Sequence, residues 1–185
     1  AALVPHKGQR YLIDAAARVV RAVPDARFVV VGGGELTETL QRQIKHLHLE
    51  KHVFLTGFRP DVLSLLKSFD LFVMSSTTEG LGTSVLDAMA CGRAVVATKA
   101  GGLPEMVVNG ETGLLVPIRD HDALADAIVR LLRNEAQRDQ FGQAGLARAR
   151  RVFNAQRMVD ETLNVYERLV DTRPAGDTAR HVSAD

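Results

Sequence analysis

A chain of 185 residues with 46% hydrophobic content has apolar surface for one substantial core and too little length for two ordinary domains. Its 23 basic and 22 acidic side chains nearly cancel, so overall charge excludes nucleic acid as an expected partner. Cys91 is the only cysteine, which rules out an intramolecular disulfide. No apolar run nears the roughly 20 residues of a membrane span, and no secretory signal pattern opens the chain. The expectation is a soluble, cytoplasmic protein.

In chain order, six short apolar runs alternate with amphipathic stretches, as expected where each buried parallel strand is followed by a helix that covers the sheet. The runs are Ala2 to Val4, Arg27 to Val31, Val53 to Thr56, Leu71 to Met74, Ala94 to Thr98 and Gly113 to Val116. After the first run, Leu12, Ala15, Ala16, Val19 and Val20 recur at helical spacing, and Pro24-Asp25 ends that helix. Gly32, Gly33 and Gly34 turn the second run into a helix marked by Leu36, Leu40, Ile44 and Leu47, and Pro60-Asp61 opens the third helix. A further helix is expected from Thr83 to Ala90. Beyond the sixth run the pattern is helical only: Asp120 to Arg133, Glu135 to Phe153 and Ala155 to Val170. Residues 171–185 have neither period and are expected to be a disordered tail. The first residue is Ala1, inside an apolar run, and that beginning reads as a cut end.

An open parallel sheet binds ligands at the carboxyl ends of its strands, where turns and helix N-termini present backbone N–H groups. Four turns there carry suggestive residues: His6-Lys7-Gly8, Gly32 to Glu35, Gly57 to Asp61, and Glu79-Gly80-Leu81-Gly82-Thr83-Ser84. In the last, a carboxylate precedes a glycine-loosened turn into a helix whose N-terminus carries about half a positive charge. A diphosphate fits amides around Gly82 to Val85, and Asp87, one turn later, would reach hydroxyl groups. The same residues also fit a plainer reading, with Thr83 or Ser84 as a helix cap and Glu79 as a solvated loop carboxylate.

Other chemistries find less support. The glycine turn at Gly32 has Thr37 where a dinucleotide fingerprint needs its third glycine. His46, His48 and His52 read as surface histidines without the ligand set of a metal site. The basic run Arg148 to Arg151, with Arg138, reads as the solvated face of a helix. Cys91 reads as a small buried side chain.

The segments His6–Gln9 (H-K-G-Q), Val31–Glu35 (V-G-G-G-E), the Gly57 turn, Glu79–Gly92 (E-G-L-G-T-S-V-L-D-A-M-A-C-G), Val95–Glu105 and Asn109–Pro117 together resemble the C-terminal lobe of family 4 (group 1) glycosyltransferases over about residues 1–170. The resemblance implies an α/β, Rossmann-like doubly wound parallel sheet of about six strands with a helical C-terminus, one lobe of a GT-B protein. The N-terminal acceptor lobe would lie outside this chain. It further implies retaining hexosyl transfer from a nucleoside diphosphate sugar, with no metal or cofactor, and an isolated lobe that is inactive alone. By position, Lys7 would pair with the donor diphosphate and Glu79 would face the transferred sugar. Gly34, Gly57, Gly80, Leu81, Gly82, Thr83, Ser84 and Asp87 would contribute to donor binding. Two positions depart from the family pattern: Asp87 stands for a longer glutamate, and Ala2 for an arginine that shares the diphosphate charge. The remaining partner expectations are the absent lobe, an unspecified acceptor, peripheral membrane association of the parent, and self-association through the last helix. The alternatives are a non-catalytic sugar-nucleotide-binding or interaction module, or a lobe of another GT-B enzyme such as an epimerase or phosphorylase.

Overall fold

The computed structural model describes residues 1–171, the side chain of Asp171 excepted. Five of the six expected runs are strands: β1 (Phe28–Val31), β2 (Val53–Gly57), β3 (Leu71–Met74), β4 (Ala94–Thr98) and β5 (Gly113–Val116). All pairings are parallel, in two sheets ordered β1-β2 and β3-β4-β5. The run Ala2 to Val4 is not a strand. Its backbone follows the end of β1, with Ala1 N donating to Val31 O and Leu3 N to Gly33 O, and it then turns into a 3₁₀ helix at Pro5–Lys7. Proline at the start of that turn ends the extended path.

Helices cover both faces. On one lie α1 (Gln9–Ala22), α2 (Thr37–His46) and, far along the chain, a helix at His121–Arg133. On the other lie α3 (Val62–Ser68), α4 (Thr83–Ala90) and the helix at Glu135–Val152. A four-residue helix at Leu103–Met106, which the sequence pattern does not reveal, is α5; the two longer helices just named are then α6 and α7, and Ala155–Asp171 is α8. β4 explains the layering. Ala94 and Val96 enter the first core with Ile13, Val19, Leu40 and Ile128, whereas Val95 and Ala97 enter the second with Val85, Met89 and Met106. A strand buried on both faces reads as a continuous apolar run, as Ala94–Thr98 does.

Side-chain caps fix where the late helices start. Asp120 accepts from the Ala123 N–H and Asn134 from the Gln137 N–H, both at 2.9 Å. Phe141 of α7, 2% exposed, is among the largest side chains buried in the first core. Phe141→Ala is expected to cost about 3–5 kcal/mol, read as a lowered urea midpoint at unchanged slope.

Two sequence expectations change here. Arg148 and Arg138 are not simply solvated: Arg148 donates to the carbonyls of Met106 and Glu105, and Arg138 to those of Leu131 and Leu132. Each guanidinium donates to carbonyls at the C-terminal end of a helix, where acceptors outnumber the N–H groups of the helix itself. Cys91 is only partly buried, packed against the second core. α8 forms as expected, but its stripe of Met158, Leu163 and Tyr166 is exposed and does not fold back onto the core. No helix among the described residues is long and apolar enough to cross a membrane. The expected tail, beyond the end of α8 at Asp171, lies outside the described residues.

Candidate functional site

Lys7 and Glu79, 72 positions apart in the chain, meet at 2.7 Å. Lys7 ends the 3₁₀ turn after the Ala1–Val4 segment, and Glu79 ends the loop after β3. Their loops are tied by backbone: Thr77 N–H donates to His6 O at 2.8 Å, and the Ser75 hydroxyl to Lys7 O at 3.2 Å. Gly8, at φ +66°, lies directly on the Ser75 carbonyl, where any Cβ would overlap that oxygen. Close approach and left-handed backbone both require glycine there.

Ser76, wholly buried, donates to Glu79 Oε2 at 3.1 Å, and Thr98 of β4 donates to the Ser76 carbonyl. Beneath the Glu79-Gly80 turn sits the loop after β4. Gly101 at φ +49° abuts the Glu79 carbonyl and Gly102 abuts that of Gly80, leaving no room for a Cβ at either. Ser76, Thr98, Gly101 and Gly102 are positioning residues that sequence reasoning did not single out; the Gly-Gly pair following a strand was the one available signal.

Burial of the Glu79 carboxyl opposes its charge, yet the Lys7 hydrogen bond and charge, the Ser76 hydroxyl and the Gly82 N–H outweigh burial and hold its pKa below the ordinary 4.5. A depressed folded-state pKa contributes stability that is complete above the unfolded value and is lost as pH falls through the folded one. The acid limb of the stability profile, below about pH 4.5, is therefore expected to flatten in Glu79→Gln. Urea midpoints of both proteins between pH 3 and 7 would check this; parallel profiles would mean that Glu79 carries none of the acid sensitivity.

Gly82, at φ +57°, is the N-cap of α4 and makes no side-chain cap. Neither Thr83 nor Ser84 is the cap, so the plainer reading fails on that point. The first-turn N–H groups of Thr83 and Ser84 have no acceptor among the described residues. Gly80 borders open space and Leu81 is exposed. Lys7, Glu79 and the start of α4 thus converge, the carboxylate bridging the lysine and the Gly82 amide. An anion entering here meets one ammonium and a set of unpaired amides.

The other expected residues stand elsewhere. Gly34 is occupied by packing: a Cβ there would meet the Leu3 backbone at 2.5 Å. Gly57 closes β2 at φ +70°, with its carbonyl accepting from Gly32 N–H and open space at its α-carbon. Asp87 is exposed and lines a separate shallow hollow with Arg150 and Phe153. Ala2 offers its carbonyl to the Gln9 amide at 2.8 Å. Among the described residues no group of three or more His, Cys, Asp or Glu side chains is placed to hold a metal; His46 and His48 are exposed, and His52 bonds at its ring to Ala26 O.

Comparison with known proteins identifies the family and the fold. The family described as "Glycosyl transferases group 1" matches residues 1–148. A GDP-mannose-dependent alpha-(1-6)-phosphatidylinositol monomannoside mannosyltransferase of Mycolicibacterium smegmatis is 41% identical over 152 residues, 77% of this chain and 40% of that protein. The crystal structure of HepE from Anabaena in complex with UDP superposes with a TM-score of 0.82 at 32% identity, covering 92% of this chain and 47% of that one. The C-terminal domain of LpcC, a group 1 protein of Francisella tularensis, superposes at 0.78 with 29% identity and 83% coverage of both chains. The chain spans less than half the length of the curated relatives it matches.

Proposed function

Because this chain belongs to the group 1 glycosyl transferases and has a Rossmann-like α/β fold of the GT-B kind, we propose that it is the donor-binding lobe of a retaining hexosyltransferase that uses a nucleoside diphosphate sugar. The observation that carries this reading is the convergence of Lys7, Glu79 and the uncapped start of α4. As the glycosidic bond breaks, positive charge spreads over the sugar ring and negative charge gathers on the departing diphosphate. Lys7 Nζ and the Thr83 and Ser84 amides stabilise that leaving group, oriented before the reaction begins. Glu79, kept ionised by its partners, holds the lysine in place and faces the sugar as an electrostatic and positioning group. Lys7 and the amides supply the positive field, so no metal is required. Gly80, Leu81 and Gly82 let the ligand approach the backbone.

Acceptor binding falls to a second lobe, so this chain alone binds donor and transfers no sugar. Its place is the cytoplasm, where nucleotide sugars are the activated donors. Calorimetry of the 185-residue chain with UDP-glucose, UDP-N-acetylglucosamine and GDP-mannose tests the reading. Saturable binding of one of them with millimolar or better affinity is expected; no saturable heat from any would overturn it. A non-catalytic sugar-nucleotide-binding module is the second reading, favoured by the exposure of Asp87 and by the missing positive charge at Ala2. Under it, Ala2→Arg with Asp87→Glu would raise donor affinity sharply, whereas a competent site gains little.

A further inference from the structure

In the free protein the seat for an anion is already taken. The Glu79 carboxylate meets the Lys7 ammonium at 2.7 Å, and the same Oε2 accepts from the Ser76 hydroxyl at 3.1 Å. The carboxylate also receives the Gly82 N–H at the entry to α4. One side chain thus engages both features that draw an anion to this hollow, the ammonium and the positive end of the helix. The side chains of Lys7 and Glu79 are only 20% and 9% exposed, so water and salt screen their charges less than those of a surface pair.

Lys7 and Glu79 together carry no net charge. Of the other cations that line the cavity reaching Lys7, Arg59 is paired with Asp61 at 2.6 Å, and Arg27 and Arg138 donate to backbone carbonyls. An arriving diphosphate therefore competes with Glu79 for the ammonium and comes to rest beside a fixed negative charge. That charge cannot swing away easily: Ser76 is wholly buried, and Thr98 of β4 donates to its carbonyl.

We infer that Glu79 is an internal counter-anion, which makes the hollow favour a diphosphate capped by a sugar over the bare diphosphate left when the sugar departs. The inference rests on the donor reading given above. In the capped ligand the group facing Glu79 is a sugar, whose hydroxyls donate to a carboxylate. Once the sugar has gone, the terminal phosphate gains about one further negative charge at neutral pH, since its second ionisation lies at about pH 6. This charge gathers at the oxygen that had joined the sugar, on the side that Glu79 faces. Like charges in a partly dry hollow repel more strongly than in bulk water. The residue that receives the sugar thus expels the spent nucleotide, and Lys7 returns to its free-state partner.

The test is calorimetry at neutral pH on the 185-residue chain, Glu79→Gln and Glu79→Asp. The ligands are inorganic pyrophosphate, UDP with UDP-glucose, and GDP with GDP-mannose. Glutamine keeps the shape and removes the charge, whereas aspartate keeps the charge on a shorter stem. Glu79→Gln is expected to bind pyrophosphate and the bare nucleotide about tenfold more tightly than the unaltered chain, with a gain below about threefold for the matching sugar-capped donor. Glu79→Asp gains for none of them. No tightening of pyrophosphate by glutamine would overturn the inference, and so would equal tightening by both variants or equal gains for bare and capped nucleotides. The unaltered chain supplies a readout that needs no variant: the ¹³C resonance of the Glu79 carboxyl carbon is expected to move as pyrophosphate is added and to saturate with it, and a resonance that stays in place while pyrophosphate binds would contradict the competition for Lys7. The two readings fail separately. Nucleotides that bind without any gain in Glu79→Gln would leave the donor site standing and remove the counter-anion; pyrophosphate that tightens while no nucleotide or donor binds would remove the donor site, and with it the preference for capped ligands.

Discussion

Gly101→Ala is expected to lower stability by about 2–4 kcal/mol and to abolish measurable donor binding, although Gly101 need not touch the ligand. At φ +49° an alanine pays the left-handed penalty of roughly 1–2 kcal/mol. Its methyl group would also occupy the position of the Glu79 carbonyl oxygen. Backbone on backbone has no rotamer by which to yield, so the Glu79-Gly80 turn must move, and with it the carboxylate that holds Lys7 and the Gly82 amide. Gly80→Ala is the matched control. A Cβ there meets no protein atom within 4 Å, so its cost in stability stays within about 1 kcal/mol. Urea denaturation of both variants checks this, and equal losses of stability from the two glycines would show that the contact beneath the turn is unimportant.

The second large effect belongs to Lys7→Met. Methionine keeps most of the aliphatic bulk while removing the ammonium, so the loss reads charge more than packing. Donor affinity is expected to fall at least about tenfold, the scale of one charge-assisted hydrogen bond to a phosphate. Stability should fall by about 1–2 kcal/mol, because Glu79 keeps Ser76 and the Gly82 N–H after its cation is gone. Uridine alone, which has no phosphate, should bind both proteins equally. A Lys7→Met protein that discriminates against uridine as strongly as against UDP would place the lysine's role outside the diphosphate.

Much of this architecture was legible in the residues. The uninterrupted apolar runs at β4 and β5, and the helical repeats of α1, α6 and α7, follow from periodicity that survives into the fold. The Glu79-to-Ser84 turn was legible for the same reason: carboxylate, glycines and helix start are adjacent in the chain. What escaped depends on distant contacts. Ala2 to Val4 has a strand's composition, but a strand needs a partner on its hydrogen-bonding edge, and this segment reaches only the last residues of β1 before Pro5 turns it. Nothing local to Arg148 reveals that Glu105 and Met106, more than 40 positions away, offer it carbonyls. Gly34 illustrates the converse. Its place in a glycine-rich turn suggested ligand approach, and the close neighbour in the structure is the Leu3 backbone. Spacing alone could not separate the two, because both demands select the same residue.

A crystal structure of the chain soaked with UDP would test the donor site most directly. The pyrophosphate is expected against Lys7 Nζ and the backbone N–H groups of Thr83 and Ser84, with Glu79 still joined to the Gly82 amide. UDP bound with its phosphates away from Lys7, or with the hollow above Gly80 left empty, would contradict the account.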